Sequence, residues 1–407
     1  MNPVPTPLPL EEAQARLLSL AEPLAIEHID LESALGRYLA KPLTALRTQP
    51  AADLSAMDGY AIRPDDLRGP WKVIAESSAG HPFSGQIQAG QAVRIATGAL
   101  VPNNADCVIL QEDIQRDDQQ ITLAGNLPEP VDKHIRSRGL DFIDGKEILA
   151  VGTRIGPAQA ALAISAGHTH IAARRMPEVA IIDSGDELSD TPAACAPYQI
   201  PASNGAMLLA MARCIPCNAR RLGPVADRMD AIADVLAQAE DADVIVTSGG
   251  ASVGDHDLIR PALEAWGARI DFWRVAIKPG KPLLIATRHG RKGRQLILGL
   301  PGNPVSSHVT AYLFLLPVLR ALLGSASPVP RRFCTRLGAP VKANGSRREF
   351  QRAFWDGETI TAQTIQDSGA LAALAASNAL IDRPAGAPEG QVGDEVMAYL
   401  LDNGGIA

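Results

Sequence analysis

The sequence has few aromatic residues and no excess of positive charge. Aromatic side chains make up 4% of its 407 residues, so a surface that stacks nucleic-acid bases is not expected. The formal net charge is −7, which lacks the basic surplus typical of nucleic-acid-binding proteins. Both shortages argue against nucleic acid as the main partner. They also mean that any anion-binding site must be made positive locally.

The sequence contains few cysteines, and none of its apolar runs is long enough to predict a membrane-spanning segment. Of the five cysteines only Cys214 and Cys217 lie close together, which favours a reducing compartment over a disulfide framework. The N-terminal residues show no basic segment followed by an apolar stretch, so no signal peptide is expected. The longest apolar run, 309–323, is interrupted by Pro317 and Arg320 and falls short of the about 20 residues of a membrane span, which predicts a buried helix. We therefore expect a cytoplasmic protein without membrane contact.

The length of the chain predicts several domains, because 407 residues are more than one hydrophobic core ordinarily holds. Over residues 177–324 apolar strands alternate with helical patterns, which predicts a doubly wound, mostly parallel α/β sheet with ligands at the carboxyl ends of its strands. Residues 42–139 and 333–401 have short apolar runs between turn residues, as small β domains do. Apolar residues at helical spacing predict helices over 10–39.

Three glycine-rich turns lie between residues 244 and 306, each after an apolar run that reads as a buried strand. Their sequences are Thr-Ser-Gly-Gly-Ala-Ser-Val-Gly at 247–254, Lys-Pro-Gly-Lys-Pro at 278–282 and Leu-Pro-Gly-Asn-Pro-Val-Ser at 300–306. Glycine lets the backbone approach a ligand closely, and free N–H groups near a helix start attract negative charge. The three turns together predict an anion-binding site.

The second and third turns carry side chains suited to an oxyanion. Lys278 and Lys281 place two compact cations on one tight turn. A lone turn of this composition is usually a solvated surface turn, but its position between two further glycine turns of one sheet favours the anion site. Ser306 lies at the start of a predicted helix and is a candidate ligand donor; the alternative is a plain N-cap, which is compatible with donation to a ligand.

Acidic residues follow three strands of the same sheet, at Glu187, Asp227 and Asp257. If these strand ends converge, carboxylates beside phosphate-binding turns provide the oxygen ligands that Mg²⁺ requires. The alternative is that each residue only caps a helix.

Cysteine and histidine residues carry weaker signals. Cys214-Ile-Pro-Cys217 has no second pair at metal-ligand spacing, so we do not interpret this motif as a zinc or redox site. Pro216 is instead expected to end a helix. His134 and His256 lie near the other motifs, and we expect structural or solvent-facing roles for both.

Seven motifs occur in the order found in the MoeA family of molybdopterin molybdenumtransferases, which is related to the C-terminal part of gephyrin. Four of them are Asp-Gly-Tyr-Ala at 58–61, Thr-Gly-Ala at 97–99, Arg-x-x-Gly-x-Asp at 136–141 and Ser-Gly-Asp-Glu-Leu at 184–188, and the other three are the glycine turns. From about residue 10 to 400 the sequence resembles this family.

The resemblance implies a reaction and its participants. Members insert molybdenum from molybdate into adenylylated molybdopterin, with Mg²⁺, and release AMP and the finished cofactor. Molybdate is a tetrahedral dianion, which suits the anion-binding turns. The resemblance also implies a homodimer, with a molybdopterin adenylyltransferase and molybdoenzyme-maturation proteins as further partners.

The resemblance assigns roles to individual positions. It implies a molybdate site of Lys278, Lys281, Ser306, Arg352 and Ser368, and a Mg²⁺ and adenylate-phosphate site of Glu187, Asp227 and Asp257. Asp58, Thr97 and Asp141 would reach the site across the dimer interface and belong with the catalytic residues. Phosphate and pterin contacts are expected from Ser184, Gly185, Gly249, Gly250, Ser252, Gly254, Pro301, Gly302 and Pro304.

The expected fold is therefore multidomain α/β plus β. A split helical and mixed domain (10–45 and 141–176) for dimerisation receives an inserted β-rich domain (46–140). An α/β domain of the molybdopterin-binding type (177–324) and a small C-terminal β domain (329–407) follow.

Some positions depart from the family pattern. Asp183 stands where Ser or Asn is usual and should weaken anion binding unless a cation compensates, and we interpret Arg228 as that cation. Arg274 replaces a common lysine, Leu140 a common glutamate and Ala251 a common valine. These departures leave room for a paralogue with altered substrate handling. Two further alternatives stay open: a non-catalytic scaffold that binds molybdopterin, and a relative that inserts tungsten from tungstate, whose oxygen geometry is the same as that of molybdate.

Overall fold

The α/β domain is built around a six-stranded sheet. The computed structural model describes residues 7–249, 258–280 and 282–401. In spatial order the strands are Asn218–Val225, Glu178–Ser184, Val244–Ser248, Gly293–Leu300, Pro282–Gly290 and Arg269–Arg274. The first four run parallel, and the last two are antiparallel to their neighbours. This confirms the mostly parallel sheet.

Helices cover both faces of this sheet because successive strand residues point to opposite sides. Val179 and Ile181 pack on one face, and Ala180 and Ile182 on the other, all with at most 1% of their surface exposed. The first face carries the helices Leu10–Leu20, Ser203–Arg213 and Pro304–Leu322. The second face carries Met229–Gln238 and Ile259–Ala265. The domain is therefore doubly wound. Because its helices cover the two faces of the sheet, the carboxyl ends of its parallel strands stay accessible to a ligand.

The apolar segment near residue 310 forms a core helix, as predicted. Pro304–Leu322 is long and apolar enough to cross a membrane, but 83% of its apolar 18-residue window is buried inside the protein. Pro304 begins the helix, where its missing N–H costs no hydrogen bond. Its burial against strands and neighbouring helices accounts for its apolar composition.

Replacing Phe314 with alanine is expected to lower the melting temperature by several degrees. Phe314 has no exposed surface in the middle of this helix, and the cavity left by its removal costs about 3–5 kcal/mol. Thermal unfolding followed by circular dichroism measures the change. Phe354→Ala, at a side chain that is 50% exposed, is the control and should change little. Equal losses in both variants would contradict a core role for Phe314.

The prediction of helices throughout residues 10–39 is wrong beyond Leu20. The helix Leu10–Leu20 ends before Pro23, which disfavours helical backbone at the residue before it. Ile26–Asp30 is instead a strand, paired antiparallel with His170–Arg174. A short 3₁₀ turn, Glu32–Ala34, follows this strand.

Residues from both sides of the inserted region pair with each other. Besides the pair above, Leu43–Thr44 pairs with Glu147–Leu149, and the helix Pro157–Ser165 packs on the same small core. We call this unit the split domain. Its chain leaves toward the inserted region through Leu54–Ser55, which pairs with Ile135–Arg136.

The inserted region forms its own six-stranded sheet, the insert domain. In spatial order its strands are Cys107–Leu110, Gly59–Ile62, Gln91–Ile95, Trp71–Ser77, Gln120–Leu123 and Ile114–Asp117. Trp71 is fully buried at its centre. The expected β-rich character is confirmed.

The C-terminal domain is a small barrel that recruits a strand from the α/β domain. Its strands in order are Ile277–Lys278, Arg348–Trp355, Thr359–Ala362, Phe333–Leu337, Glu395–Leu400 and Ala379–Arg383. Pairing of the second strand with the last closes the barrel. The segment 269–278 is shared between the two domains: Arg269–Arg274 stays in the α/β sheet, whereas Ile277–Lys278 pairs with Arg348 and Glu349. This crossover brings Lys278 to the junction of the two domains.

Candidate active site

A cleft of about 1080 Å³ lies between the carboxyl edge of the α/β sheet and the C-terminal domain. Strand ends at Ser184, Ser248 and Leu300–Pro301 form its floor. Most of the described residues expected at the site line this one cleft: Ser184, Gly185, Glu187, Asp227, Gly249, Lys278, Pro301, Gly302, Pro304, Ser306, Arg352 and Ser368.

Glycine at 249 and 280 is required by close approach as well as by backbone angle. Gly249 has φ +95°, and a Cβ there would stand 2.7 Å from the carbonyl oxygen of Ser184. Gly280 has φ +106°, and a Cβ would meet the Thr310 side chain at 2.5 Å. A larger residue at either position would strain the backbone and push the turn away from its neighbours. The turns of the cleft floor therefore pack directly on adjacent elements.

Asn204, which the sequence reasoning missed, ties two of the turns together. Its side-chain nitrogen donates to the Ser248 hydroxyl at 3.0 Å and to the Gly302 carbonyl at 2.6 Å. It lies near the start of the helix Ser203–Arg213 and lines the cleft. Ser248 and Gly302 lie 44 and 98 positions from Asn204 in the sequence, so no local pattern identifies Asn204 as the partner of both.

The C-terminal domain docks on the third turn through Ser368. The Asn303 side chain donates to the Ser368 hydroxyl at 3.0 Å, and the Val305 N–H donates to the Ser368 carbonyl at 3.0 Å. The loop that carries Ser368 is thereby held against the start of the helix that carries Ser306. Hydroxyls from two domains face one cleft.

Arg352 is buried and rigidly held beside these hydroxyls. It is 1% exposed, and its guanidinium donates to the carbonyls of Ile365 and Asp367 at 2.9 and 3.0 Å. Burial lowers the pKa of Arg352 from its ordinary value, with the Asp367 charge opposing the change. Its Nε is buried without a hydrogen-bond partner among the described residues. A buried cation with spare donor capacity fits an anion-binding role.

Lys278 is the more exposed cation of the cleft. Its ammonium lies 2.7 Å from a carboxylate oxygen of Glu349, a residue that the sequence reasoning did not single out. The Lys278 side chain is 54% exposed, whereas that of Glu349 is 11% exposed. Arg347 also lines this end of the cleft and donates to the Ile277 carbonyl at 3.3 Å.

Carboxylates crowd the end of the cleft formed by the first two strands of the sheet. The Asp227 N–H donates to an oxygen of Asp186 at 3.0 Å, and both Glu187 and Asp227 line the cleft. The pKa of Asp227 is raised by burial and then by the negative charges of Asp186 and Glu187. A divalent cation would relieve this crowding, and carboxylate oxygens are ligands of the kind that Mg²⁺ takes, so Glu187 and Asp227 supply two of the ligands that such an ion needs. Among the described residues no group of three or more acidic, His or Cys side chains is arranged to hold a metal.

Replacing Asp227 with asparagine is expected to raise the melting temperature at neutral pH without added metal. A raised folded-state pKa contributes stability that is fully present below the unfolded pKa and is lost as pH rises through the folded value. The advantage of the variant should therefore shrink as the pH falls and Asp227 itself becomes protonated. Melting curves at a series of pH values measure this, with Asp234→Asn as the control on an exposed helix position. A pH-independent difference would rule out charge crowding at Asp227.

The interpretation that Arg228 compensates Asp183 is wrong. Arg221 Nε donates to Asp183 at 2.7 Å, while Arg228 pairs with Asp230 at 2.5 Å. Asp183 is 1% exposed, and burial raises its pKa while Arg221 opposes that shift. Arg221 sits on the neighbouring strand, so the strand pairing decides which cation reaches Asp183. The extra carboxylate at the cleft floor is thus already paired.

Several expected site residues are not brought to the cleft within one chain. Asp58 and Thr97 lie in the insert domain, where an Asp58 oxygen accepts from the Thr97 N–H at 2.7 Å and from its hydroxyl at 2.9 Å. These hydrogen bonds lower the pKa of Asp58. Asp141 follows the insert domain, and its N–H donates to the Gln49 carbonyl at 3.0 Å. Five residues named above and two others discussed lie outside the described residues: Gly250, Ser252, Gly254, Asp257, Lys281, Ala251 and His256.

The sequence matches three family profiles that together run through most of the chain. They are the MoeA N-terminal region (domain I and II) at 8–167, the probable molybdopterin binding domain at 180–321 and the MoeA C-terminal region (domain IV) at 335–401. The chain belongs to the MoeA family. The order of these matches confirms the resemblance seen in the seven motifs.

Relatives and solved structures agree with membership in the MoeA family. A molybdopterin molybdenumtransferase of Haemophilus influenzae is 32% identical, covering 92% of this chain and 94% of its own. The protein of the same name from Nostoc sp. is 33% identical, covering 92% and 88%. A crystal structure of the molybdopterin biosynthesis moeA protein from Pyrococcus horikoshii OT3 superposes with a TM-score of 0.83 at 25% identity, covering 97% of this chain and 100% of that one. The MoeA architecture of four domains is thereby confirmed.

Proposed function

We propose that this MoeA-family protein inserts molybdenum from molybdate into adenylylated molybdopterin and releases AMP, with Mg²⁺. One observation carries the proposal: a single cleft is lined by Lys278, Arg352, Ser306 and Ser368 near the C-terminal domain and by the carboxylates Glu187 and Asp227 after the first two strands of the α/β sheet. A substrate with an adenylate phosphate and a metal-accepting group needs both ends at once.

The strand order supports this separation. Asp227 and Glu187 follow the strands Asn218–Val225 and Glu178–Ser184, whereas Ser306 follows Gly293–Leu300. The first and fourth strands of a sheet lie ~14 Å apart, at about 4.8 Å per strand spacing. That span matches an extended ligand that carries its phosphates at one end and its metal-binding group at the other.

Each group has a chemical role under this proposal. Lys278 and Arg352 supply positive charge to the oxyanion, and the hydroxyls of Ser306 and Ser368 donate hydrogen bonds to its oxygens. Ser184, whose buried Oγ has no hydrogen-bond partner among the described residues, is a donor for phosphate at the other end. Glu187 and Asp227, with Asp257, would hold the Mg²⁺ ion, which neutralises phosphate charge when bound.

The test is release of AMP from adenylylated molybdopterin by the purified protein with Mg²⁺, measured with molybdate, with tungstate and with neither. Molybdate-dependent release supports the transferase. Release only with tungstate identifies a tungsten-inserting relative. Binding of the adenylate without release under any oxyanion contradicts the enzyme and leaves a scaffold role.

We further propose that the active unit is a homodimer in which the insert domain of one chain completes the cleft of the other. Asp58 and Thr97 lie outside the cleft of their own chain, although the family motif marks them as site residues. Large apolar side chains with more than half of their surface exposed lie on the split domain and beside it: Leu35, Leu46, Leu140, Ile143 and Ile164. Such exposed apolar surface fits a second copy of this chain.

The substrate and product place the protein between two further partners. An adenylyltransferase acting on molybdopterin must supply the substrate, and a protein that matures molybdoenzymes must accept the product. None of the five cysteines, all of which lie in the described part of the chain, forms a disulfide, which suits the reducing cytoplasm in which we expect the reaction.

A further inference from the structure

Lys278 forms an ion pair with an acidic residue of the same cleft. Its ammonium lies 2.7 Å from Glu349 Oε1, and both side chains line the end of the cleft that also holds Ser306 and Arg352. An oxyanion that takes Lys278 must therefore either displace this contact or share it. A fixed carboxylate at this position also repels an incoming anion.

Glu349 is the fixed member of the pair. It lies on the strand Arg348–Trp355, its side chain is only 11% exposed, and its other carboxylate oxygen accepts from the Gln351 side chain at 3.2 Å. The Lys278 side chain is half-exposed, and a lysine ammonium sits on a flexible four-carbon stem. The lysine can therefore swing into the cleft, whereas the carboxylate stays in place.

The Lys278 backbone does not depend on this ion pair. Ile277–Lys278 is paired with Arg348 and Glu349 through the sheet, and Arg347 donates to the Ile277 carbonyl at 3.3 Å. Removal of the Glu349 charge therefore leaves the lysine in the same place and frees only its ammonium.

We propose that Glu349 is a built-in competitor of the oxyanion for Lys278 and so sets how weakly the oxyanion is held. This rests on the proposed function to the extent that Lys278 contacts the oxyanion. Glu349 acts through Lys278 and is a positioning residue. A bound oxyanion must combine Lys278 with the hydroxyls of Ser306 and Ser368 to overcome the competition, and it can leave again when the lysine returns to Glu349.

Titration calorimetry with sodium molybdate tests the proposal without any turnover. Glu349→Gln keeps an acceptor for Lys278 but removes the charge, and it is expected to bind molybdate about three- to tenfold more tightly than the wild type. Glu358→Gln, an exposed position on the same domain, is the matched control and should leave the affinity unchanged. Circular dichroism verifies that each variant is folded.

The double variant Lys278→Ala/Glu349→Gln identifies the route of the effect. If Glu349 acts through Lys278, the gain from Glu349→Gln is smaller without the lysine. An equal gain in both backgrounds, or weaker binding in Glu349→Gln, overturns the proposal. If Lys278→Ala alone binds molybdate as the wild type does, the oxyanion is not at Lys278. The proposed placement then fails as well, and the two failures are distinguishable.

Discussion

Lys278→Ala is expected to lower kcat/KM for molybdate-dependent AMP release by about 100- to 1000-fold, the usual cost of removing one donor aimed at developing negative charge. Lys278 is the half-exposed cation at the junction of two domains, whereas Arg352 is buried and held in place by two carbonyls, so its guanidinium does not move into the position of the lost ammonium. The remaining hydroxyl donors carry no charge, so they cannot replace the lost ammonium. Chromatographic measurement of AMP at several molybdate concentrations gives the result.

The control for this variant is Lys342→Ala, which removes an exposed lysine from the same C-terminal domain. It should retain wild-type activity, because residue 342 does not line the cleft. Full activity in a folded Lys278→Ala protein would place the oxyanion elsewhere. Loss of AMP release without any change in the molybdate dependence would indicate a role at the adenylate instead.

A hybrid dimer of two inactive chains is expected to recover about half of the wild-type activity. One chain carries Asp58→Asn in the insert domain, and the other carries Lys278→Ala in the cleft. If each site combines the cleft of one chain with the insert domain of its partner, the hybrid has one intact site and one site with both defects. Co-expression with two different affinity tags and sequential purification isolates the hybrid.

The matched control for the hybrid pairs Asp58→Asn with Thr97→Ala. Asp58 and Thr97 lie in the same insert domain and hydrogen-bond to each other. Each insert domain of this hybrid therefore carries one defect, and so does each site. It should stay inactive. An inactive hybrid of Asp58→Asn with Lys278→Ala would show that the insert domain does not serve the cleft of the other chain. A monomer at working concentrations, measured by analytical ultracentrifugation, would contradict the dimer directly.

Local patterns predicted the elements of the α/β domain closely. The apolar segment 309–323 was expected to form a buried helix, and the helix Pro304–Leu322 contains almost all of it. Proline at a helix start and apolar residues at helical spacing are signals that a few neighbouring residues carry by themselves. Where the neighbouring residues gave a conflicting signal, as around Pro23, apolar spacing alone led to the wrong element.

The pairing of charged residues could not be predicted in the same way. Arg228 was the expected partner of Asp183, yet it binds Asp230, two residues away in the sequence. Arg221 reaches Asp183 because the strands Glu178–Ser184 and Asn218–Val225 pair side by side in one register. The contact between Lys278 and Glu349 joins residues from two domains through a strand exchange. Sequence spacing carries no information on either register.

The sequence by itself determined the family, the glycine turns and the charged residues that follow each strand. These depend on local rules: glycine where the backbone has positive φ or meets a neighbour, and polar residues where a buried strand ends. Tertiary structure alone decided which of those residues share a cleft and which charge faces which. Asn204 bridging two turns, Ser368 docking on the start of a helix, and Glu349 holding Lys278 are contacts between segments far apart in the chain. These contacts contribute to the stability of the fold only after the strands have paired and the domains have docked.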